Sequence, residues 1–271
     1  MTEPMAMASW PLHRRQGLQF MLAMAASSWL KVSGAAAPVK VGFLRAYEPY
    51  SLQDAQGMTQ GFDVEVARRL CEVQGLHMQP VSDGVAGLIR RLQAGEIAWL
   101  GNQLLMTPDN RRVMDFVRPA YASIQLCAIQ HEDDDRDFLG LDDLQGKRLG
   151  VLADTGIEAQ ARSALGRSVQ AYPHIADALR DLAQQRLDLV LEENLIADYY
   201  IDKYRLPLRV AAPFTSPVAV GLGVRKGDRE TMEKLAQAVK QILHDGSLKR
   251  ISEKWFGYDV SRSRISHGAM R

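Results

Sequence analysis

Alternating strand and helix patterns restrict the fold of this sequence more than any other feature. Apolar and polar residues alternate over 39–43, which predicts a strand with one buried face. A helical period follows over 61–75, and a second helical stripe over 85–92, which Ser82 and Asp83 could cap, leads directly into an apolar strand at 97–101. An apolar strand is expected over 124–129, a similar alternating unit occupies 147–191, and a last long helix has its apolar stripe over 232–243. The pattern predicts an α/β fold with parallel sheets covered by helices, and ligands at the carboxyl ends of the strands.

Residues 100–121 form the stretch that would lie at such a strand end. Thr107 followed by Pro108 indicates a helix N-terminus, because the hydroxyl accepts from an unpaired N–H and proline loses no needed donor there. Two interpretations stay open: a well-capped helix after a core strand, or a cradle for an anionic or zwitterionic small molecule. The amides, hydroxyl and guanidinium groups of the cradle would come from Asn102, Gln103, Thr107, Asn110, Arg111 and Arg112.

The composition favours a small-molecule or protein partner. The 271 residues are 46% hydrophobic and 24% charged, which is enough for one large core or two smaller ones. The 33 basic and 32 acidic residues leave a net charge of +1. This balance gives no electrostatic field for nucleic acid or an anionic membrane, so neither is an expected partner.

Residues 1–37 have the features of a cleaved export signal. Basic residues at 13–15 precede an apolar run over 18–30, which is too short for a comfortable membrane span, and small residues follow. We therefore expect a periplasmic protein without direct membrane insertion. The polar residues 259–271 are expected to form a frayed tail.

Neither the cysteines nor the acidic residues predict a metal or cofactor site. Cys71 falls on a helical stripe and Cys127 in an apolar strand, so we expect two buried free thiols, with a disulfide as the alternative. The alternate aspartates over 133–137 have calcium-loop spacing, but Phe138 stands where such a loop needs glycine. The sequence has no nucleophile elbow, paired histidines or phosphate loop, so no cofactor, metal or catalytic residue is expected.

Four sequence segments occur in a characteristic order. They are GFDVEVARRL from Gly61, MTPDNRRVMDF from Met106, LDDLQGKRLGVL from Leu141, and VRKGDRE from Val224 with HDGSLKRISEKWFG from His244. Together they resemble the periplasmic solute-binding proteins for polar amino acids, extracellular solute-binding protein family 3.

The resemblance spans about residues 39–258 and implies a fold. The expected architecture is the type II periplasmic binding protein fold, with two α/β lobes joined by two hinge strands and closing on a ligand. Lobe 1 would comprise residues 38–125 and 215–258, and lobe 2 would comprise residues 128–212.

The resemblance also implies ligand contacts. An aromatic platform falls on Tyr47, with a core tyrosine as the alternative interpretation. The acid that holds an α-amino group falls on Glu193, although Glu192 and Glu193 would also favour the start of the next helix electrostatically. The turn that cradles an anion falls on 154–156, where Thr155 could donate a hydrogen bond.

The largest departure from the family lies in the stretch over 100–121. The position of the carboxylate-clamping arginine is Asn110, with Arg111 one place later, and a small hydroxyl position is Leu105. Asparagine cannot supply a charge-assisted fork. Together with Asn102 and Gln103, these residues predict a neutral, partly apolar wall and an unusual ligand, cationic or poor in carboxylate.

The function implied by the resemblance is capture of a small polar solute, an amino acid or an amino-acid-like compound, for an ABC-type permease. The chain is expected to act as a monomer and without enzymatic activity. One alternative is a dehydratase-like enzyme on the same scaffold, of the cyclohexadienyl dehydratase type, with Glu192 or Glu193 as acid or base. The other is a ligand-sensing partner of a membrane receptor.

Overall fold

The computed structural model describes residues 37–136, 138 and 140–261. Within this part, eight α-helices and fourteen strands form two lobes, each built on one large sheet. The predicted export signal over 1–37 lies outside the described residues except for its last residue, and the predicted tail over 259–271 does so from residue 262 onward.

The first large sheet, the centre of lobe 1, has six strands. In spatial order they are β5 (Met78–Asp83), β1 (Val39–Leu44), β6 (Trp99–Leu105), β14 (Val218–Arg225) and β7 (Met114–Phe116), with β8 (Ala122–Ile124) also paired to β14. Strand β1 is parallel to both β5 and β6, whereas β14 runs antiparallel to its partners. The carboxyl ends of β1 and β6 therefore lie at the same edge of the sheet.

The second large sheet, the centre of lobe 2, has five strands. In spatial order they are β11 (Val169–Tyr172), β10 (Leu149–Leu152), β12 (Leu189–Glu193), β9 (Leu126–His131) and β13 (Leu208–Pro213). Strand β10 is parallel to β11 and β12, and β9 is antiparallel to β12 and β13. Both sheets are mixed, so the parallel arrangement expected from the sequence holds for only part of each.

Helices cover both sheets with their apolar faces. They are α1 (Phe62–Glu72), α2 (Val85–Gln93), α3 (Pro108–Val113), α4 (Gly156–Leu165), α5 (Ile175–Ala183), α6 (Asn194–Tyr204), α7 (Arg229–His244) and α8 (Ser247–Phe256). In α1, for example, Val66 and Leu70 are buried four residues apart, while Glu72 is exposed. Two short 3-10 helices, Leu141–Leu144 and Gly166–Ser168, complete the helical elements of the described residues.

A small three-stranded ribbon between β1 and α1 carries two aromatic residues, Tyr47 and Tyr50, at the edge of lobe 1. Its strands are β2 (Ala46–Tyr47), β3 (Ser51–Gln53) and β4 (Thr59–Gln60). Gly61 then begins α1 with a φ of 139°, and a Cβ atom there would lie 2.3 Å from the carbonyl oxygen of Tyr50. Only glycine permits this approach, because both the backbone angle and the contact exclude a side chain.

The structure corrects several sequence-based boundaries. Ser82 and Asp83 do not cap α2: both belong to β5, a strand that the sequence pattern missed, and Gly84 is the N-cap residue. The Asp83 carboxylate instead accepts from the Gly84 amide at 2.8 Å and from Arg91 Nε at 3.0 Å. The apolar strand expected over 124–129 is divided at Gln125 into β8 and β9.

The chain crosses between the lobes twice, and the two crossings are hydrogen-bonded to each other. The first passes through Gln125, between β8 and β9, and the second follows β13 through Thr215. Gln125 Nε2 donates to the Thr215 carbonyl at 3.1 Å, and the amide of Leu126 donates to Thr215 Oγ1 at 3.1 Å. These paired crossings form the two-strand hinge expected for the fold.

Helix α6 of lobe 2 also contacts lobe 1 directly. The Glu48 carboxylate, just after β2, accepts hydrogen bonds from the Tyr199 hydroxyl at 2.7 Å and the Tyr200 hydroxyl at 3.2 Å. Lys203 pairs with the same carboxylate at 2.6 Å. We call this set, Glu48 with Tyr199, Tyr200 and Lys203, the interlobe latch.

Cys71 and Cys127 are both buried and free, which confirms the expectation of two unpaired thiols. Burial raises the pKa of Cys71 to about 11 and that of Cys127 to about 12, so both thiols stay protonated at neutral pH.

Candidate functional site

Polar side chains from both lobes meet where the carboxyl ends of their strands face one another. Lobe 1 contributes Tyr47 and Tyr50 from the ribbon and Gln103 from β6, whereas lobe 2 contributes Glu192 and Glu193 from the end of β12. The negative charges of both glutamates raise the pKa of both tyrosines, so the two groups are close in space. We call these five residues the cleft cluster.

Two tyrosines form the aromatic side of the cleft cluster. The ring centroids of Tyr47 and Tyr50 are 4.9 Å apart and their planes are inclined at 53°. Tyr50 also lies 6.4 Å from the ring of Phe256 on α8, which fixes it in the lobe 1 core. Burial, followed by the charge of Glu193, raises the pKa of both hydroxyls well above 10, so both are neutral hydrogen-bonding groups.

A buried aspartate, Asp63, is hydrogen-bonded to the lobe 1 residues next to the cleft cluster. Asp63 on α1 accepts hydrogen bonds from the Tyr121 hydroxyl at 2.8 Å, from the backbone N–H of Gln103 at 2.8 Å and from Asn102 Nδ2 at 3.4 Å. Burial raises its pKa to about 8, although these hydrogen bonds act against the rise. The network holds β6 against α1 and so fixes the position of Gln103.

Asn102 is part of this internal support. Its Oδ1 accepts from the amide of Leu44 at 2.7 Å, and its Nδ2 donates to Ser51 Oγ at 2.8 Å. The side chain is 2% exposed and has partners at both ends. It therefore ties β1, the ribbon and β6 together at the base of the cleft cluster.

Several buried polar atoms of the cleft cluster have no hydrogen-bond partner among the described residues. They are Tyr50 Oη, Gln103 Oε1 and Nε2, Glu192 Oε2 and Glu193 Oε2. A buried polar atom without a partner is energetically unfavourable, by about 1–3 kcal/mol. Because so many of these atoms lie in one place, the cleft cluster is the candidate binding site of the protein.

The two glutamates share the carboxyl end of β12. Glu192 is 3% exposed, and its Oε1 accepts from the backbone amide of Glu193 at 2.8 Å. Burial, assisted by the charge of Glu193, raises the pKa of Glu192 to about 8. Burial also raises the pKa of Glu193 to about 7; the Tyr50 hydroxyl opposes this rise, although no hydrogen bond of normal geometry joins the two groups.

The stretch after β6 forms a capped helix start. Thr107 Oγ1 accepts from the amide of Asn110 at 3.2 Å, and Pro108 occupies the first helical position, as the sequence predicted. Asn110 Nδ2 donates back to the carbonyl of Leu105 at 2.8 Å. Leu105 itself is 36% exposed, so it presents an apolar surface beside this turn.

Arg111, the residue after Asn110, makes contacts within lobe 1. Its Nε donates to the carbonyl of Met106 at 2.9 Å, and its guanidinium carbon lies 5.8 Å from the ring centroid of Phe116. With Arg118 and Lys240 it lines a separate open groove of about 810 Å³ on lobe 1. These contacts hold the Arg111 side chain against its own lobe.

The turn before α4 in lobe 2 already holds a carboxylate of the protein itself. Thr155 caps α4, accepting from the amide of Glu158 at 3.2 Å while its hydroxyl donates to the carbonyl of Leu152 at 2.8 Å. The amide of Asp154 donates to Glu158 Oε2 at 2.8 Å, and Arg162 pairs with Glu158 Oε1 at 2.7 Å. This helix N-terminus is thus used internally.

Of the residues that the sequence singled out, the structure brings together Tyr47, Gln103 and Glu193. Asn102 lies beneath them, whereas the polar groups of Asn110 and Thr155 are engaged within their own turns. Sequence reasoning left Tyr50 out of the site and placed Glu192 there only as an open alternative. Their closeness in sequence to predicted site residues could have indicated both: Tyr50 follows Tyr47 by three residues, and Glu192 directly precedes Glu193.

The part of the chain that the structure describes has neither a membrane-spanning helix nor a metal-binding cluster. No helix there is long and apolar enough to cross a membrane. Nor does that part contain a group of three or more histidine, cysteine or acidic side chains arranged to hold a metal ion.

Comparisons with known proteins agree with this architecture. The sequence model of the bacterial extracellular solute-binding proteins, family 3, matches residues 39–258. The chain is 29% identical over 223 residues to the L-cystine-binding protein TcyJ of Escherichia coli (strain K12), covering 82% of this chain and 84% of that protein. It is also 29% identical over 233 residues to the L-arginine-binding protein of Pseudomonas aeruginosa, covering 82% and 89%.

A solved structure shows the same two-lobed fold. The L-cystine solute receptor of Neisseria gonorrhoeae, in its unliganded open conformation, matches with a TM-score of 0.70 and 26% sequence identity. The match covers 83% of this chain and 95% of that one.

Proposed function

Because this chain belongs to the bacterial extracellular solute-binding proteins, family 3, we propose that it captures an amino-acid-like solute between its lobes for an ABC-type permease. The family resemblance and the two-lobed α/β fold expected from the sequence are confirmed. The chain is a solute-binding protein rather than an enzyme, in agreement with the relatives that it resembles. Its proposed location is the periplasm, where a monomer would meet the permease.

The cleft cluster is the observation that carries this proposal. Tyr47, Tyr50 and Gln103 come from one lobe and Glu192 and Glu193 from the other, so a molecule held by both sets would link the lobes. The unpartnered atoms include donors and acceptors, as a small polar solute requires.

The proposed ligand contacts follow from this geometry. We propose Tyr47 and Glu193 as ligand contacts, as the family resemblance implies, and Gln103 as a further contact through its neutral side-chain amide. Leu105 stays a proposed contact through its apolar surface. Asn110 and Thr155 also stay proposed contacts, although the Asn110 Nδ2 group and the Thr155 hydroxyl already donate within their own turns. Asn102 is a supporting residue of the same site.

A thermal-shift screen of small polar metabolites tests the proposal. The protein should be refolded from denaturant first, so that any co-purified solute is removed. A solute at about 100 times its Kd adds about 2.7 kcal/mol to the free energy of unfolding, which corresponds to a rise in Tm of about 5–10 °C.

Glu193→Gln should reduce that shift, because it removes the charge while keeping the shape of the side chain. The matched control is Glu230→Gln, on an exposed glutamate of α7 that pairs with Lys234 of the same helix. The proposal fails if no solute raises Tm, or if Glu193→Gln and Glu230→Gln respond alike to the best solute.

A further inference from the structure

The carboxyl groups in and beside the cleft cluster have no basic side chain paired with them among the described residues. Glu192 and Glu193 lie in it, and Asp63 lies directly beneath Gln103. Among the described residues, no lysine or arginine is paired with any of these carboxyl groups. Their remaining neighbours are neutral hydroxyls and amides, which include Tyr47, Tyr50 and Gln103. Such a site attracts a cation and repels an anion.

The turns around the cleft cluster use several of their polar groups for hydrogen bonds of their own. The Asn110 amide is bonded to Leu105, and the Arg111 guanidinium is bonded to Met106. The helix N-terminus of α4, which would otherwise attract an anion, already faces the carboxylate of Glu158. A carboxylate placed near the glutamates would therefore be desolvated without a charged partner.

Each of the two glutamates has one buried carboxyl oxygen without a hydrogen-bond partner among the described residues. Glu192 Oε1 is bonded to the amide of Glu193, which directs the Glu192 carboxyl toward the end of β12 and leaves its Oε2 unpartnered. Glu193 Oε2 is also buried and unpartnered. The fully buried Tyr50 hydroxyl comes from the opposite lobe and lies beside Glu193, and it too has no hydrogen bond of normal geometry.

We propose, on the premise of the function above, that the solute is an organic cation without a carboxylate, an amine or guanidine whose N–H groups are shared by Glu192 and Glu193. Tyr47 and Tyr50 form the aromatic side of that position, where a cation is also attracted by ring faces. Glu192 thus becomes a specificity-determining residue, since it adds a second acid to the one expected from the family. An amino acid would bind less well, because its carboxylate would enter the site together with its ammonium group and would find no positively charged partner there.

Matched pairs of amino acids and their decarboxylated amines test this inference. The pairs are arginine with agmatine, lysine with cadaverine and histidine with histamine, with binding measured by isothermal titration calorimetry on the full, ligand-stripped protein. At least one amine should bind about tenfold more tightly than its amino acid. The inference is overturned if no amine binds more tightly than its partner.

The same titrations separate failure of the inference from failure of the proposed function. If arginine, lysine, histidine or a neutral amino acid binds most tightly, only the ligand class is wrong. If none of the amines or amino acids binds, the ligand class is wrong and the solute-capture function loses its support as well.

Glu192→Gln tests the second acid directly. It should weaken binding of the preferred amine by about tenfold or more, and it should lower the number of protons released on binding, measured in buffers of different ionisation enthalpy. Circular dichroism reports folding of the variant, and Glu230→Gln is again the control. A merely structural role for Glu192 would leave the proton count unchanged, and that result would remove Glu192 from the proposal.

Discussion

Glu192 and Glu193 differ from the many other acidic residues of this chain because their environment raises rather than lowers their pKa. Asp245 is the opposite case: bonded to Ser247 and Arg69, it has a pKa of about 2. The cleft glutamates lack such partners, so burial dominates. At neutral pH they therefore hold protons for part of the time, and a bound cation would displace them.

This environment predicts how the stability of the ligand-free protein depends on pH. Asp63, Glu192 and Glu193 have pKa values of about 8, 8 and 7 in the folded state, against 3.8, 4.5 and 4.5 ordinarily. The folded state thus binds more protons than the unfolded state between about pH 4.5 and pH 8. The free energy of unfolding should fall as pH rises through this window, by up to about 1.4 kcal/mol per pH unit for each group.

Urea denaturation between pH 5.5 and pH 8 measures this slope. The groups that face the glutamates, Tyr47 and Tyr50, stay neutral throughout the range. The double variant Glu192→Gln, Glu193→Gln should have a smaller slope, with Asp63 accounting for what is left. A wild-type slope that is zero or positive, or that is equal in the double variant, would contradict the assignment.

At the scale of elements, the start of α1 and the ribbon depend on each other. The amide of Phe62 donates to the carbonyl of Pro49, and the amide of Asp63 donates to the carbonyl of Tyr50, both at 3.0 Å. Gly61, the residue just before Phe62, has no side chain and so lets the backbone at the start of α1 approach the backbone of Tyr50. The same contact therefore begins a helix and holds an aromatic residue of the cleft cluster in place.

Gly61→Ala should destabilise the protein by more than about 3 kcal/mol, because the added Cβ would overlap the Tyr50 carbonyl at a φ that alanine rarely adopts. Gly57→Ala is the matched control: its φ of 78° is also positive, but no atom lies within 4 Å of the added Cβ. That variant should cost about 1 kcal/mol. Equal losses in urea denaturation would show that the close approach is unimportant.

The sequence predicted those elements that depend on local signals. The start of α3 at Thr107 and Pro108 needs only neighbouring residues, and the structure has it as expected. The apolar stripes of α1 and α7 likewise identified their buried faces. Strand β5 escaped notice because its side chains, from Met78 to Asp83, are half-buried or exposed and show no clear alternation.

The candidate site was predictable only in part, for a physical reason. Tyr47 and Glu193 could be proposed from family positions, and the ligand contacts stay predictions. The burial of Glu192 depends on which elements cover the end of β12, and the packing of Tyr50 depends on Phe256 from the far end of the chain. A single sequence does not show such long-range contacts.

At the scale of the whole molecule, the interlobe latch links ligand capture to lobe position. Glu48 in lobe 1 meets Tyr199, Tyr200 and Lys203 of α6, the helix that begins directly after Glu193. Breaking the latch removes contacts of the arrangement that encloses the cleft cluster. It should therefore shift the population toward more open states.

Glu48→Gln should weaken solute binding by about fivefold, mainly through faster dissociation, because a partly exposed ion pair contributes about 1 kcal/mol. Stopped-flow measurement of solute release is the direct test, and small-angle X-ray scattering should show a larger radius of gyration. Glu65→Gln is the matched control, since Glu65 also pairs with a lysine, Lys254, but within lobe 1. Equal dissociation rates in the two variants would exclude a role of the latch in closure.

The paired crossings at Gln125 and Thr215 have a consequence for the kind of motion available. Two strands hydrogen-bonded side by side resist twisting about either one, while both can bend together. We therefore expect the main relative movement of the lobes to be rotation about one axis through the crossings. If contacts across the cleft form and break along this one coordinate, the proposed capture of a solute and the engagement of α6 with lobe 1 would be parts of the same movement.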